Sequence, residues 1–175
     1  MRAALATTVL ATALAVGIAL PASAKPPTKR QIAQAVSAAE RSRLLWATIN
    51  ICNSPTHRDK IGVRGQMPSL GIAATMEMTF TLNAWSTATS RFEPINSPNA
   101  VDRIPVGTHA HTLEQDGTIF PFQKGTTGLW NATVVFTWKR NGKVVGQTHR
   151  RTTAGHRDAY FGSPPHYSAA QCRIR

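Results

Sequence analysis

The sequence predicts an all-β fold, an antiparallel β-sandwich of seven or eight strands preceded by a short N-terminal helix. Three observations lead to this prediction. The segment from Ile72 to Asn83 alternates apolar and polar residues, as expected of a strand with one buried and one solvated face. Asn141-Gly142 separates two further apolar runs and is a strong signal for a type I′ hairpin turn. Turn-forming residues recur between the other apolar runs at the spacing of a sandwich.

The first 24 residues have the pattern of a secretory signal peptide. Arg2 supplies a positive start, an apolar run extends to Leu20, Pro21 ends it, and residues 22–24 form a small-x-small cleavage pattern. The alternative, a transmembrane anchor, is disfavoured because the run is only marginally long enough and ends in a cleavage motif. Cleavage after Ala24 removes 24 of the 175 residues and leaves 151, the size of one domain. We expect a secreted protein, free or associated with the cell wall.

Residues 25–43 are predicted to form a basic leader and a short helix. Thr28 and Gln31 have the spacing of a capping box at the start of a helix. One narrow apolar stripe follows, and it consists of Ile32, Ala35, Val36 and Ala39. This stripe either docks on the domain or frays. From Leu44 the period changes to two, so the sandwich domain is assigned to residues 44–175.

Shorter strands are expected elsewhere in the domain, at 46–52 (WATINIC), 61–65 (IGVRG), 108–113 (THAHTL), 118–123 (TIFPFQ) and 171–175 (QCRIR). The strand before the Asn141-Gly142 turn places Val134, Phe136 and Trp138 on the core face. Segment 90–105 contains three prolines and is expected to be a long irregular crossover. Seven or eight antiparallel strands around one core predict an immunoglobulin-like sandwich.

Two cysteines, Cys52 and Cys172, are present in the chain. In an exported protein, a pair with none left over predicts one disulfide. Since the two residues lie in the first and last predicted strands, the bond would join the ends of the domain. It would enclose a long loop and contribute up to ~5 kcal/mol in the chain-entropy model.

The hairpin FTWKRNGKVVGQTHRRTTAG resembles the final hairpin of CARDB-like and related bacterial immunoglobulin-like domains. Together with WATINIC, GVRGQMPSL and the terminal SAAQCRIR, it is similar to a group of uncharacterised exported proteins from high-GC Gram-positive bacteria. The resemblance covers most of the mature chain, and its motifs are structural. It implies a fold and a compartment, with no activity attached.

A metal site is the sharpest chemical candidate in the sequence. His109 and His111 stand at i and i+2 of a predicted strand, so both would point to one face and could share a copper or zinc ion. A third ligand would have to come from elsewhere, with His149 or Glu114 as candidates. Met76 and Met78 are in phase with Phe80 and are therefore interpreted as core rather than as ligands.

Enzymatic activity and a cofactor are not expected. The sequence contains no GxSxG, no HExxH and no glycine-rich phosphate loop. Its eight acidic residues are scattered, with no spacing that indicates a pair for general acid–base catalysis.

A strong positive charge is the main indication of a partner. The chain carries a formal net charge of +12, and loss of Arg2 would leave +11. Five basic residues of the predicted hairpin are candidates for binding a polyanion: Lys139, Arg140, Lys143, Arg150 and Arg151. The alternative is that these charges protect the sheet against edge pairing.

The function predicted from the sequence is a non-enzymatic, secreted binding domain at the cell envelope. Its expected contact is an anionic polymer or a partner protein, with no specific nucleic acid and with the chain as a monomer. The alternative is a secreted metal-handling protein that uses His109 and His111. Metal content of the purified protein distinguishes the two.

Overall fold

The computed structural model describes residues 25–175, so the predicted signal peptide lies outside the described residues. This part of the chain contains one helix, α1 (Lys29–Glu40), and nine strands. The strands are β1 (Trp46–Cys52), β2 (Lys60–Pro68), β3 (Thr75–Ser86), β4 (Arg91–Pro94), β5 (Val101–Gly107), β6 (Leu113–Pro121), β7 (Gly128–Arg140), β8 (Lys143–Arg151) and β9 (Cys172–Ile174). The predicted all-β sandwich with a short N-terminal helix is confirmed, with nine strands instead of seven or eight.

Two antiparallel sheets form the sandwich. The three-stranded sheet has the order β1-β2-β6. In the six-stranded sheet, β3 and β7 are central; β4 and β5 both pair with β3, and β8 and β9 both pair with β7. The core lies between the sheets and is richest along β3 and β7, where Phe80, Phe136 and Trp138 are fully buried. The predicted inward face of both strands is therefore confirmed.

The Asn141-Gly142 hairpin forms as predicted. Asn141 and Gly142 have φ values of 49° and 74°, and Arg140 pairs with Lys143 across the turn. A type I′ turn requires positive φ at both central residues, which asparagine and glycine tolerate best. The local sequence alone is thus sufficient to place this turn.

A β-bulge in β1 changes which residues face the core. Ile49 pairs with Val63, but Ile51 pairs with Gly62, so Asn50 is an extra residue without a partner in β2. Cys52 then pairs with the fully buried Ile61, and its side chain packs against the core. Without the bulge, side chains would alternate regularly from the inward-facing Ile49, and Cys52 would face outward.

The inward position of Cys52 allows the predicted disulfide. Cys52 and Cys172 are bonded, with their Cα atoms 5.4 Å apart. Cys52 ends β1 of the three-stranded sheet, and Cys172 begins β9 of the six-stranded sheet. The bond therefore joins the first strand to the last, as predicted, and it also joins the two sheets.

Helix α1 docks on the sandwich, which settles the alternative that the sequence left open. Thr28 and Gln31 form the predicted capping box. Val36 lies directly against Gly146 of β8, where no Cβ would fit. At the other end of the helix, the Arg150 guanidinium donates a hydrogen bond to the carbonyl oxygen of Glu40. Within residues 25–175, no helix has the length and apolar character needed to cross a membrane.

The predicted strand at 108–113 is wrong. Segment 108–113 was expected to be a strand, but β5 ends at Gly107 and β6 begins only at Leu113. Ser69 holds the residues between them in a loop: its hydroxyl donates to the Ala110 carbonyl (2.7 Å) and accepts from the Thr112 amide (3.0 Å). Hydrogen bonds to a distant serine thus replace those of a strand ladder.

The predicted irregular crossover at 90–105 instead contains β4 and β5, separated by a short 3₁₀ turn at Pro98–Ala100. Both strands lie at an edge of the sheet and pair only with β3. Proline is tolerated in edge strands, because its missing N–H is not needed on the unpaired side. The three prolines therefore interrupt the edge without preventing strand formation.

The stretch between β8 and β9, residues 152–171, is called the C-terminal segment below. It runs along the free edge of β1, where Ile49 and Ala169 exchange two backbone hydrogen bonds of 2.9 and 3.0 Å. Further on, the Ser163 amide donates to the Asn50 carbonyl (2.8 Å). This segment covers an edge that would otherwise expose unpaired backbone groups.

Candidate functional site

A cavity lies between the C-terminal segment and the outer face of the three-stranded sheet, and it is called the outer-face cavity below. Its volume is about 690 Å³. Its floor comes from β1, β2 and β6, and its walls come from residues 56–57 and 161–163. The volume lies within the range of small-molecule sites. The lining consists of Asn50, Ile51, Thr56, His57, Val63, Arg64, Gly117, Thr118, Ile119, Phe161, Gly162 and Ser163.

Arg64 is the charged group of the floor. The next residue, Gly65, faces the core, because a Cβ there would meet Met78 and Phe136 of the other sheet. Successive residues of a strand point to opposite faces, so Arg64 faces outward. The Arg64 side chain is nevertheless only 12% exposed. Its Nη1 lies 3.9 Å from the Asp116 carboxylate, and its Nε has no hydrogen-bond partner among the described residues. Burial lowers the pKa of the Arg64 guanidinium, and Asp116 opposes that shift.

Asn50, the extra residue of the bulge, provides a second polar group. Its Nδ2 donates to the carbonyl oxygens of Tyr160 (2.9 Å) and Phe161 (3.3 Å), which fixes the C-terminal segment above the sheet. Its Oδ1 is buried without a donor among the described residues. The amide therefore holds the wall of the cavity with one end and leaves an acceptor unused at the other.

Phe161 forms the exposed aromatic wall. Its side chain is 78% exposed, although it is a large apolar group. The Arg64 Cζ lies 5.1 Å from the ring centroid, within the range of a cation–π contact. Phe161 also has a φ of 57°, which is uncommon for a bulky residue. A strained backbone that presents an apolar ring to solvent is a feature found at binding sites.

A network of hydroxyl groups and one imidazole forms the part of the wall where residues 56–57 meet Ser163. The Ser163 hydroxyl lies 2.7 Å from the Ser54 hydroxyl and 3.0 Å from the Thr56 hydroxyl. The Thr56 hydroxyl also lies 3.0 Å from His57 Nδ1. These groups both donate and accept hydrogen bonds, so this wall suits hydroxyl or amide groups of a ligand.

The predicted metal site loses its geometric basis. His109 and His111 lie in the loop held by Ser69 and not on a strand, so the same-face argument for them is wrong. His109 has a 74% exposed side chain whose Nδ1 lies 3.9 Å from Glu114 Oε1. Across residues 25–175, no three His, Cys, Asp or Glu side chains are grouped closely enough to hold a metal ion. Metal binding by His109 and His111 stays an untested prediction.

The five basic residues of the hairpin do not form one cluster. Lys139, Arg140 and Lys143 lie at its tip, whereas Arg150 and Arg151 lie at the far end of β8. Arg150 lies seven positions after Lys143 along the strand, a distance of roughly 23 Å.

Three of these five residues are engaged within the fold. Lys139 forms a 2.9 Å ion pair with Glu77, Arg140 donates to the Ala73 carbonyl (2.6 Å), and Arg150 donates to the Glu40 carbonyl. Lys143 and Arg151 remain exposed. Any polyanion contact of the hairpin would therefore depend mainly on these last two.

The sequence alone does not predict the residues of the outer-face cavity. Arg64 does interrupt a strand of otherwise buried or small residues, which is a signal for an outward cation. Tyr160 and Phe161 stand together in a turn-rich stretch, a signal for exposed aromatic groups. Neither signal indicates that Arg64 and Phe161 meet, because 97 residues of chain separate them.

The sequence matches no protein-family model, and comparison with curated proteins gives no match. Two solved structures are distantly similar. One is a glycosyl hydrolase family 2 member from Bacteroides cellulosilyticus DSM 14838, with 9% identity and a TM-score of 0.32 over 62% of this chain and 14% of that chain. The other is the alkylpurine DNA glycosylase AlkC of Pseudomonas fluorescens bound to DNA containing an abasic site analog, with 12% identity and a TM-score of 0.30 over 61% of this chain and 28% of that chain. This chain thus spans less than a third of either structure, and similarity at this level supports no conclusion about function.

Proposed function

We propose that this chain is an exported, non-enzymatic binding domain that acts at the cell envelope. The outer-face cavity is the observation that carries this proposal. It combines exposed apolar groups with buried polar atoms that lack partners among the described residues, as small-molecule sites commonly do. No Asp or Glu is among its lining residues. The lining therefore does not supply the pair of carboxylates that acid–base hydrolysis would use.

Export is supported by two features. The first 24 residues have the signal-peptide pattern, and the disulfide is a bond that persists mainly in oxidising compartments. Kinship with exported CARDB-like proteins is part of the same proposal. Mass spectrometry of the protein recovered outside the producing cell should find Lys25 at the N-terminus. Recovery of an intact chain that begins with Met1 from inside the cell would contradict export.

Binding to the envelope is tested by sedimentation of residues 25–175 with isolated envelope material. We expect the parent protein to sediment and the Phe161→Ala variant to remain mostly in solution. Because the Phe161 side chain is largely exposed, its loss should leave the fold intact. Trp85→Ala is the matched control, since Trp85 is an exposed aromatic residue of the other sheet. If the parent protein does not sediment, the envelope role is wrong.

Contact with an anionic polymer through the hairpin requires a separate test. Lys143 and Arg151 are the exposed members of the hairpin group, so both are replaced by Gln. The control replaces Arg43 and Arg58, which are also exposed and carry the same charge. A hairpin site predicts a larger loss of retention and a shallower salt dependence for the first variant. Equal losses would indicate diffuse attraction by the whole surface.

A further inference from the structure

The ligand class of the outer-face cavity follows first from Arg64. Its guanidinium is largely removed from water, yet Nε has no acceptor among the described residues. The nearest carboxylate, Asp116, is 3.9 Å away and accepts instead from the Gly117 amide at 2.7 Å. A buried cation without hydrogen-bond acceptors is costly, and an anion that binds beside it relieves that cost. The floor of the cavity is therefore suited to a negatively charged group.

The small positive charge of the cavity lining limits which kind of anion it can bind. Arg64 is the one permanently charged side chain of the lining, and Asp116 beside it offsets part of its field. A single guanidinium matches the geometry of a carboxylate, which accepts two parallel hydrogen bonds. A polyanion would need further cations at this site.

The remainder of the cavity indicates the body of the ligand. Phe161 and Ile119 are exposed apolar groups on its rim, and Ile51 lies in its floor. The wall of the cavity also carries the hydroxyl groups of Thr56 and Ser163, which can accept hydrogen bonds, so the ligand should also carry an O–H or N–H group. An apolar body with one donor would satisfy both sets of groups.

We propose that the outer-face cavity binds a small carboxylate-bearing molecule with a flat apolar body and one hydrogen-bond donor. Arg64 receives the carboxylate, Phe161 stacks on the body, and the hydroxyl groups of Thr56 and Ser163 accept from the donor. This inference rests on the proposed binding function and adds the chemical class of its ligand.

The test is a titration of the disulfide-bonded protein, residues 25–175, followed by amide chemical shifts in NMR. The probe is 4-hydroxybenzoate, which combines a carboxylate, a ring and a hydroxyl group. Its neutral and cationic counterparts are 4-hydroxybenzyl alcohol and 4-hydroxybenzylamine, and acetate is the carboxylate without a body. We expect saturable shifts at Gly117 and Gly162, which line the cavity, and an affinity for the carboxylate about tenfold or more above each comparison probe.

Substitutions test the roles proposed for Arg64 and Phe161. Arg64→Gln should lower the affinity for 4-hydroxybenzoate about tenfold, whereas Arg64→Lys should lower it less, because the charge remains. Phe161→Ala should weaken all ring-containing probes alike and preserve the preference for the carboxylate. Arg151→Gln is the control, since Arg151 is an exposed arginine of β8 in the other sheet. The parent titration maps the site even if an Arg64 variant does not fold.

Two results would overturn the inference. The first is that 4-hydroxybenzyl alcohol shifts Gly117 and Gly162 with the same affinity as 4-hydroxybenzoate. The cavity would then bind small molecules without any preference for an anion. The second is carboxylate binding with shifts only outside the cavity. Failure of the proposed function is a different result, namely that the parent protein does not sediment with envelope material.

Discussion

The indole Nε1 of Trp138 donates a 2.9 Å hydrogen bond to the carbonyl oxygen of Pro68. Trp138 belongs to β7 of the six-stranded sheet, and Pro68 ends β2 of the three-stranded sheet. The largest fully buried side chain of the core therefore also makes a polar connection between the sheets. A buried indole N–H needs such a partner, which makes this position specific for tryptophan.

Replacement of Trp138 by Ala should lower the free energy of unfolding by roughly 3–5 kcal/mol, because it removes a buried aromatic side chain. Trp138→Phe keeps most of the apolar contact but leaves the Pro68 carbonyl without its donor, so a smaller loss of roughly 1–3 kcal/mol is expected. Urea denaturation measures both. Trp85→Ala, at a 42% exposed position, should change little. A Trp138→Ala midpoint close to that of the parent would contradict the assigned strand face.

The bulge at Asn50 depends on the absence of a side chain at Gly62. A Cβ there would lie 2.8 Å from Asn50 Oδ1 and 2.9 Å from Ile51 Cβ. Gly62→Ala should therefore destabilise the protein by roughly 1–3 kcal/mol, as overpacking does. Gly107→Ala is the control, because the atoms that its Cβ would meet belong to the long Glu114 side chain, which can turn aside. Equal unfolding midpoints for the two variants would mean that the bulge relaxes easily.

Arg150 and Arg151 are neighbours in sequence and differ in role. The Arg150 guanidinium binds the Glu40 carbonyl at the C-terminus of α1, where a cation is favoured by the helix dipole. Arg150→Gln should lower the free energy of unfolding by about 1 kcal/mol. It should also speed hydrogen exchange in the last turn of α1. The exposed Arg151 has no such contact, so similar exchange rates in Arg151→Gln would refute the assigned role.

His156 should make the stability depend on pH. Its ring stacks on Trp46 with centroids 4.5 Å apart, and burial lowers the pKa of His156, with Asp158 opposing the shift. Since the folded pKa lies below the unfolded one, this contribution is complete above pH ~6.5 and is lost as the pH falls through the folded pKa.

Denaturation at pH 7.5 and at lower pH should therefore show a decline in stability that is shallower in His156→Gln. The comparison variant is His111→Gln, at an exposed loop position. If the pH dependence of His156→Gln equals that of the parent, His156 does not cause it.

The disulfide should account for a large part of the stability. The Cys52–Cys172 bond encloses a sequence separation of 120 residues, so its loss in the double Ser variant should cost up to ~5 kcal/mol in the chain-entropy model. The mass of the unreduced parent should be two hydrogen atoms below that of the reduced form. One peptide pair linked through these cysteines should appear after digestion. Two free thiols or a linked dimer would exclude the intramolecular bond.

Patterns that depend on local burial or turn chemistry were predictable. The alternation along β3 and the positive φ values at Asn141 and Gly142 are encoded by the residues of those segments themselves. In contrast, the loop at 108–112 depends on Ser69, some forty residues earlier in the chain. The strands β4 and β5 form because β3 offers an unpaired edge, which the prolines of the segment obscure.

The outer-face cavity could not be predicted for the same reason. It requires the C-terminal segment to lie over the sheet, and Asn50 fixes that position through hydrogen bonds across 110 and 111 residues of sequence. The bulge that makes Asn50 available depends in turn on Gly62. No periodicity or motif within one segment of the sequence indicates these contacts between distant residues. The predicted sites, His109 with His111 and the basic hairpin, depend instead on residue type and proximity in sequence.

The bond between Cys52 and Cys172 also determines how the protein responds to proteases. Residues 52–172 form a covalent ring, so a single cut in any loop between them opens the ring but releases no fragment. The nicked molecule keeps both sheets joined, and it separates into two pieces only after reduction. A cut before Cys52, in contrast, frees the N-terminal residues, including α1, unless packing on β8 retains them. In an environment rich in proteases, the connection between helix and sandwich is thus the point at which one cleavage divides the chain.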